Sequence, residues 1–195
     1  MKKVLKEKLK KRLQKIFWIY PCNIFIIKGM NEFQMLDPKI KCDFVPITLD
    51  NCHRVKDFRE ESRILQYKDK LAHNEMGYFA EHNGKIVGSI WATVNKTQVP
   101  NLVRRFVKLM PNEGLIHDIV TGENSRRMGV GTIMVSRIVP ILLKEWKLNR
   151  ILIDVNIKNW ASLKMMGKLH FQKDQKVLYV SAFGKVWRLV LRKYS

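Results

Sequence analysis

No apolar run in this sequence reaches the roughly 20 residues that a helix needs to cross a bilayer. The longest, Ile16 to Ile27 (IFWIYPCNIFII), is broken by Pro21 and Asn23. It follows a basic start, as the apolar part of a signal peptide does, but no small-residue cleavage site comes after it, which argues against that reading. Cysteine is scarce. Cys22, Cys42 and Cys52 are odd in number and lack metal-ligand spacing, which points to free thiols in a reducing, cytoplasmic compartment. The five histidines are scattered, none in an HExxH cluster, so no metal site is expected. Acidic residues are few: 17 Asp and Glu stand against 37 Lys and Arg, a formal net charge of +20. That excess suits a phosphorylated ligand, a nucleic acid or an acidic membrane surface, and charge alone does not choose among them.

What is present is enough for a core. The chain has 195 residues, 46% of them hydrophobic, which suits one domain with an appended arm. The division expected is an arm and short strand over residues 1–42 and a main domain over 43–195. In the arm, Leu5, Leu9, Leu13, Ile16, Phe17 and Tyr20 fall at spacings of three and four, one apolar stripe on a helix. The other faces are almost all Lys and Arg. Two uses of such a helix over residues 1–20 stand open. It lies on an anionic membrane, which would put the protein on the inner face, or it docks on its own domain or a sister subunit.

Further along, Asn23 to Met30 reads as a short strand and Asp43 to Asn51 as a strand handing over to helix. Cys52 to Ala72 reads as two short helices. Gly77 to Asn95 is a hairpin turning at Asn83-Gly84. Lys96 to Gly114 is a long connection with a short helix expected in LVRRFVKLM. Leu115 to Thr121 is a strand, Gly129 to Trp146 a helix kinked at Pro140, and Arg150 to Asn156 a strand. Asn159 caps a helix running to His170, and two strands meeting near Phe183-Gly184 close the chain. Strands and helices mixed in this order give an α+β single domain around one sheet.

The stretch Ser125 to Met134 (SRRMGVGTIM) carries the chemistry. Strand, then Arg126-Arg127-Met128-Gly129-Val130-Gly131, then helix, places glycines and positive charge where a helix start offers unpaired N–H groups. It is not a Walker A motif, since Lys-Ser/Thr is absent, and it lacks the third glycine of GxGxxG. From local chemistry, a phosphate cradle and a plain glycine-eased turn both remain open.

In this setting Arg126-x-x-Gly129-x-Gly131 resembles the acyl-CoA-binding motif of the GCN5-related N-acetyltransferases. The later stretch NWASLKMMGKLHFQK is similar to that family's second pattern at Asn159, Ser162, Lys168-Leu169 and Phe171. The resemblance covers about Asp43 to Leu191 and implies a central mixed sheet flanked by helices, with acyl-CoA in a splay between two parallel strands. It implies acetyl-CoA as co-substrate, its pyrophosphate on Arg126, Arg127, Met128, Gly129, Val130, Gly131 and Thr132. The strand at Ile119, Val120 and Thr121 would take the pantetheine arm, and Asn159 the cofactor's other side.

The base implied at this place is His117, which simple alternation puts on one face with Ile119 and Thr121 and opposite Asp118. Three departures are visible. Met166 stands where many relatives have a Tyr that protonates the leaving thiolate, which leaves Ser162, Tyr179 or water for that role. His170 stands where a Gly is usual, and the loop VTGENS lacks a common Pro. Glu123 is read as solvated or as a ligand for an ammonium, and Arg104-Arg105 as a steering pair for an anionic acceptor.

The function implied is transfer of an acetyl group to a primary amine on a small acceptor, an amino-sugar nucleotide or another anionic amine. A tRNA- or ribosome-directed acetyltransferase is the nucleic-acid alternative, although no RNA-binding signature is present. A non-catalytic module that binds CoA or a partner is the third.

Overall fold

The computed structural model describes residues 17–36, 39–103, 107–183 and 185–194. Residues 1–16, with Leu5, Leu9, Leu13 and Ile16 of the expected helix, lie outside that set, as do Arg104 and Arg105. In chain order the strands are β1 (Phe17–Ile27), β2 (Asp43–Pro46), β3 (Met76–His82), β4 (Lys85–Asn95), β5 (Asn101–Val103), β6 (Val107–Leu109), β7 (Glu113–Thr121), β8 (Arg150–Asn156), β9 (Gln172–Ala182) and β10 (Lys185–Lys193). The α-helices are α1 (Arg63–Ala72), α2 (Val130–Pro140) and α3 (Trp160–Lys168), with 3-10 turns at Cys52–Asp57 and Glu123–Ser125. A π-helical turn, Ile141–Glu145, follows Pro140, where the ring has no N–H to continue the α ladder.

Eight of the described strands form one sheet in the order β10-β9-β1-β8-β7-β4-β3-β2. The expected mixed α+β sheet flanked by helices is therefore present. Among the described residues β7 and β8 are the parallel pair, and their register runs only from Glu113↔Arg150 to Ile116↔Ile153. Arg150 closes the start of this pair with an ion pair to Glu113 at 2.7 Å. Past Ile116 the two strands part, which opens the sheet in its middle.

Two expectations change. Phe17 and Tyr20 belong to a strand, not to the end of a helix: Phe17–Ile27 is eleven residues long and pairs with β8 on one side and β9 on the other. Its β-branched and aromatic side chains suit a pleated surface, and its partners on both sides override the short-range helical spacing. The stretch LVRRFVKLM is likewise not helical at its described ends. Its described ends form β5 and β6, paired Asn101↔Leu109 to Val103↔Val107. Val107 and Leu109 alternate inward, a strand period that a search at helical spacing overlooks. The hairpin at Asn83-Gly84 is as expected, with both residues at positive φ (50° and 75°), the geometry of a type I′ turn.

The core divides by sheet face. On one face α2 and α3 pack Ile133, Met134, Val135, Ile138 and Met166 onto Ile116, Ile153 and Phe25. On the other, α1 and the Cys52–Asp57 turn cover Phe79 and Trp91. The β5–β6 hairpin lays Val107 and Leu109 over Cys22, Leu152 and Tyr179 on that same side. All three cysteines are buried and unbridged.

Candidate active site

The glycine loop gets its shape from two unusual backbone angles in a short span. Arg127 has φ 69° and Gly129 φ 84°, and Gly129 is the residue immediately before α2. An L side chain at φ 84° is strained, so glycine is required there. No side chain caps α2, and the first-turn N–H groups of Val130, Gly131 and Thr132 have no carbonyl one turn back to bond. Gly131 differs from Gly129. A Cβ added there would meet Met165 Sδ at 3.7 Å and Thr121 Oγ1 at 3.8 Å, ordinary contact distances. The fold itself therefore does not demand glycine at 131; what the missing side chain leaves is space between β7, α2 and α3. A backbone cradle with open room and a helix start beside two arginines suits a phosphate. Arg126 makes an exposed ion pair with Glu123 at 3.3 Å, and both side chains are mostly in solvent.

Where β7 and β8 part, a cavity of about 570 Å³ passes between them. On the helix α3 side its wall includes Ile119, Asn159, Ser162, Met165 and Met166. On the α1 side it includes His117, Asp118, Asp154, Tyr20, Arg59 and Lys70. Asn159 Oδ1 accepts from Ser162 N at 3.2 Å, so this residue caps α3 as expected while facing the cavity.

The alternation count along β7 fails at Asp118. The register against β4 goes from Trp91↔His117 to Ser89↔Val120, so β7 carries one extra residue. That residue is a bulge, with Asp118 at φ 48°. Ile116 and Ile119, three apart, both pack on the α2 side, and Thr121 lies by Gly131. His117 faces the α1 side instead, opposite Ile119. Its Nε2 is 2.9 Å from Thr93 Oγ1 and 3.5 Å from Glu75 Oε2. Asp118 also reaches the α1 side, where it bonds the buried Lys70 and lies 3.6 Å from Arg59. Lys70 Nζ sits over Trp91 at 4.6 Å, so the bulge is tied to α1 by ion pairing and by an aromatic face. Burial pushes the Asp118 carboxyl up; the Lys70 charge, its hydrogen bond and Arg59 together outweigh this and hold it below its ordinary value.

Of the expected site residues, His117, Ile119, Asn159 and Ser162 meet at this cavity. Val120, Thr121 and Arg126 line a neighbouring cleft beside the 3-10 turns. Tyr179 is not brought to the opening: it is fully buried under the β5–β6 hairpin. Burial, followed by the nearby Asp154, pushes its phenol well up, so it stays protonated through neutral pH. His170 ends α3 in an exposed left-handed turn, φ 58°, and does not reach the cavity.

Asp154 and Tyr20 are additions that pattern reading missed. Asp154 is the one acid in the strand RILIDVN, set between apolar Ile153 and Val155, and that oddity was a usable signal. Tyr20 was hidden by being counted into a helix.

The family model for the Acetyltransferase (GNAT) family matches residues 43–171. An N-alpha-acetyltransferase from Sulfurisphaera tokodaii is 27% identical over 118 residues, which is 57% of this chain and 65% of that protein's length. Among solved structures, a putative acetyltransferase from the GNAT family of Novosphingobium aromaticivorans superposes with TM-score 0.57 at 10% identity, over 84% of this chain and 64% of that one. The structure of AAC(6')-Iy in complex with the bisubstrate analogue CoA-S-monomethyl-acetylneamine superposes with TM-score 0.54 at 13% identity, over 68% and 92%. With the split parallel pair, the glycine cradle and the match over residues 43–171, the chain belongs to the acetyltransferase (GNAT) family.

Proposed function

We propose that this chain is an acetyl-CoA-dependent N-acetyltransferase acting on a primary amine. One observation carries this: the opening between β7 and β8 joins the glycine cradle side of the sheet to a wall bearing His117 and Asp154. The cradle fits a phosphorylated carrier, because a Cβ at Gly131 would project into the space it leaves. Acetyl-CoA would supply a thioester-activated acetyl group. The N–H groups of Val130, Gly131 and Thr132 would hold its pyrophosphate, with Arg126 and Arg127 adding charge. The backbone of Ile119 to Thr121, released from β8, has an edge free for the pantetheine arm.

His117 takes the proton from the acceptor's ammonium, oriented by Thr93 and Glu75. Asp154, across the opening, holds that ammonium before it is deprotonated. Ser162, on the cofactor side of the cavity, would protonate the leaving sulfur, a role Met166 cannot fill. The relative's name, N-alpha-acetyltransferase, supports an α-amine as acceptor. Arg59 and Arg63 on the wall favour an acceptor with a nearby anionic group, which an amino-sugar nucleotide would also offer.

An acceptor panel of amino acids, short peptides and amino-sugar nucleotides, read as acetyl-CoA-dependent release of free thiol, tests this. Amine-dependent release above hydrolysis is expected. Acetyl-CoA binding with no release across the whole panel would instead make the chain a non-catalytic binding module.

A further inference from the structure

Strands β1, β9 and β10 present an apolar surface that none of the described residues covers. The register builds it as rows across three strands: Phe17↔Ala182↔Lys185, Ile19↔Val180↔Trp187 and Pro21↔Leu178↔Leu189. Residues directly opposite share a face, so eight of these nine are apolar and point the same way. Phe17, Ile19, Trp187 and Leu189 are each about half exposed (50, 52, 46 and 50%). Trp160 of α3 and Phe183 at the hairpin tip are more exposed still, at 78% and 88%. The reverse face of the same strands is covered by the β5–β6 hairpin over Cys22, Val177 and Tyr179. A contiguous apolar patch of this kind on a folded domain marks a contact surface.

The charge is distributed in the same way. Residues 17–28 and 155–194 hold ten Lys and Arg against one acid, Asp174. They therefore carry nine net positive charges, while the 126 residues between carry four. These segments supply β1, α3, β9 and β10, the elements that bear or border the patch. Lys185 stands within it, and Lys158, Lys173 and Lys176 lie at its α3 margin with Trp160.

We propose that this face is an interfacial binding surface for an anionic lipid membrane. The aliphatic and indole side chains would enter the headgroup boundary while the lysines around them meet lipid phosphates. A second copy would press one strongly basic half against another. A nucleic acid would meet aliphatic side chains that offer it no hydrogen bond.

The test is flotation of the full chain with vesicles of phosphatidylcholine alone or with added phosphatidylglycerol. It is repeated with the double variant Ile19→Asp/Trp187→Asp, which leaves every basic residue in place. The wild type is expected to float with anionic vesicles and to be released by high salt. The variant should lose about tenfold or more of that binding, with its thermal midpoint and its acetyl-CoA affinity unchanged. Equal flotation of wild type and variant, or no flotation of the wild type, would overturn the proposal. So would a wild-type dimer in solution that the variant dissolves, since a second copy would then cover the face.

Discussion

Two glycines two residues apart in the cradle do different work, and substitution separates them. Gly129→Ala places an L side chain at φ 84° and should cost about 1 kcal/mol or more, read as a lower unfolding midpoint. Gly131→Ala meets only ordinary contacts and removes a glycine from a helix, so stability should hold or rise by about 0.5 kcal/mol. Its affinity for acetyl-CoA should nonetheless fall, because the added methyl occupies the space the ligand needs. His170 offers a converse case. α3 ends with Phe171 N bonded to Met166 O, a Schellman turn whose left-handed position is His170, φ 58°. His170→Gly should stabilise the fold by about 1 kcal/mol in denaturant unfolding and leave turnover unchanged. His117→Ala should lower kcat about 100-fold and flatten the pH–rate profile while acetyl-CoA affinity stays intact. An unaltered profile would remove His117 from proton transfer.

At the scale of elements, the bulge in β7 governs both the site and what could be read from sequence. The strand, the loop, the helix and the capping Asn159 were all legible, because periodicity and cap chemistry are local. The face of His117 was not: one extra residue at Asp118 inverts every assignment beyond it. That residue is fixed by Lys70 and Arg59, partners 48 and 59 positions away, which no local pattern reveals. The first part of β1, Phe17 to Tyr20, escapes the sequence for the same reason, since its strand character comes from β9, far along the chain, whereas Asn23 to Ile27 was legible as strand. The latch between α1 and the bulge has a testable pH signature. The Asp118 carboxyl is held lower in the folded chain than when unfolded. Its contribution is therefore full above the unfolded value of about 4 and is lost as pH falls through the folded one. Asp118→Asn should cost about 2 kcal/mol at neutral pH, by removing a charged hydrogen bond from a buried lysine. It should also flatten the decline in stability below about pH 4.

For the whole molecule, the sheet divides its tasks along its width. The β7–β8 opening in the middle holds the cradle and the cavity, and the half of the sheet with β1, β9 and β10 carries a dense group of Lys and Arg and the apolar face that no described residue covers. Composition gave the size of the charge excess but not its placement, since only the register shows that β1 and the C-terminal strands form one surface. The account as a whole rests on acyl-CoA entering the opening from the cradle side. Calorimetric titration of acetyl-CoA into the full chain and into Gly131→Ala tests that most directly. One site of micromolar or tighter affinity is expected in the wild type, weakened at least several-fold in the equally stable variant. No heat of binding to the folded wild type, or equal affinity in both proteins, would contradict it.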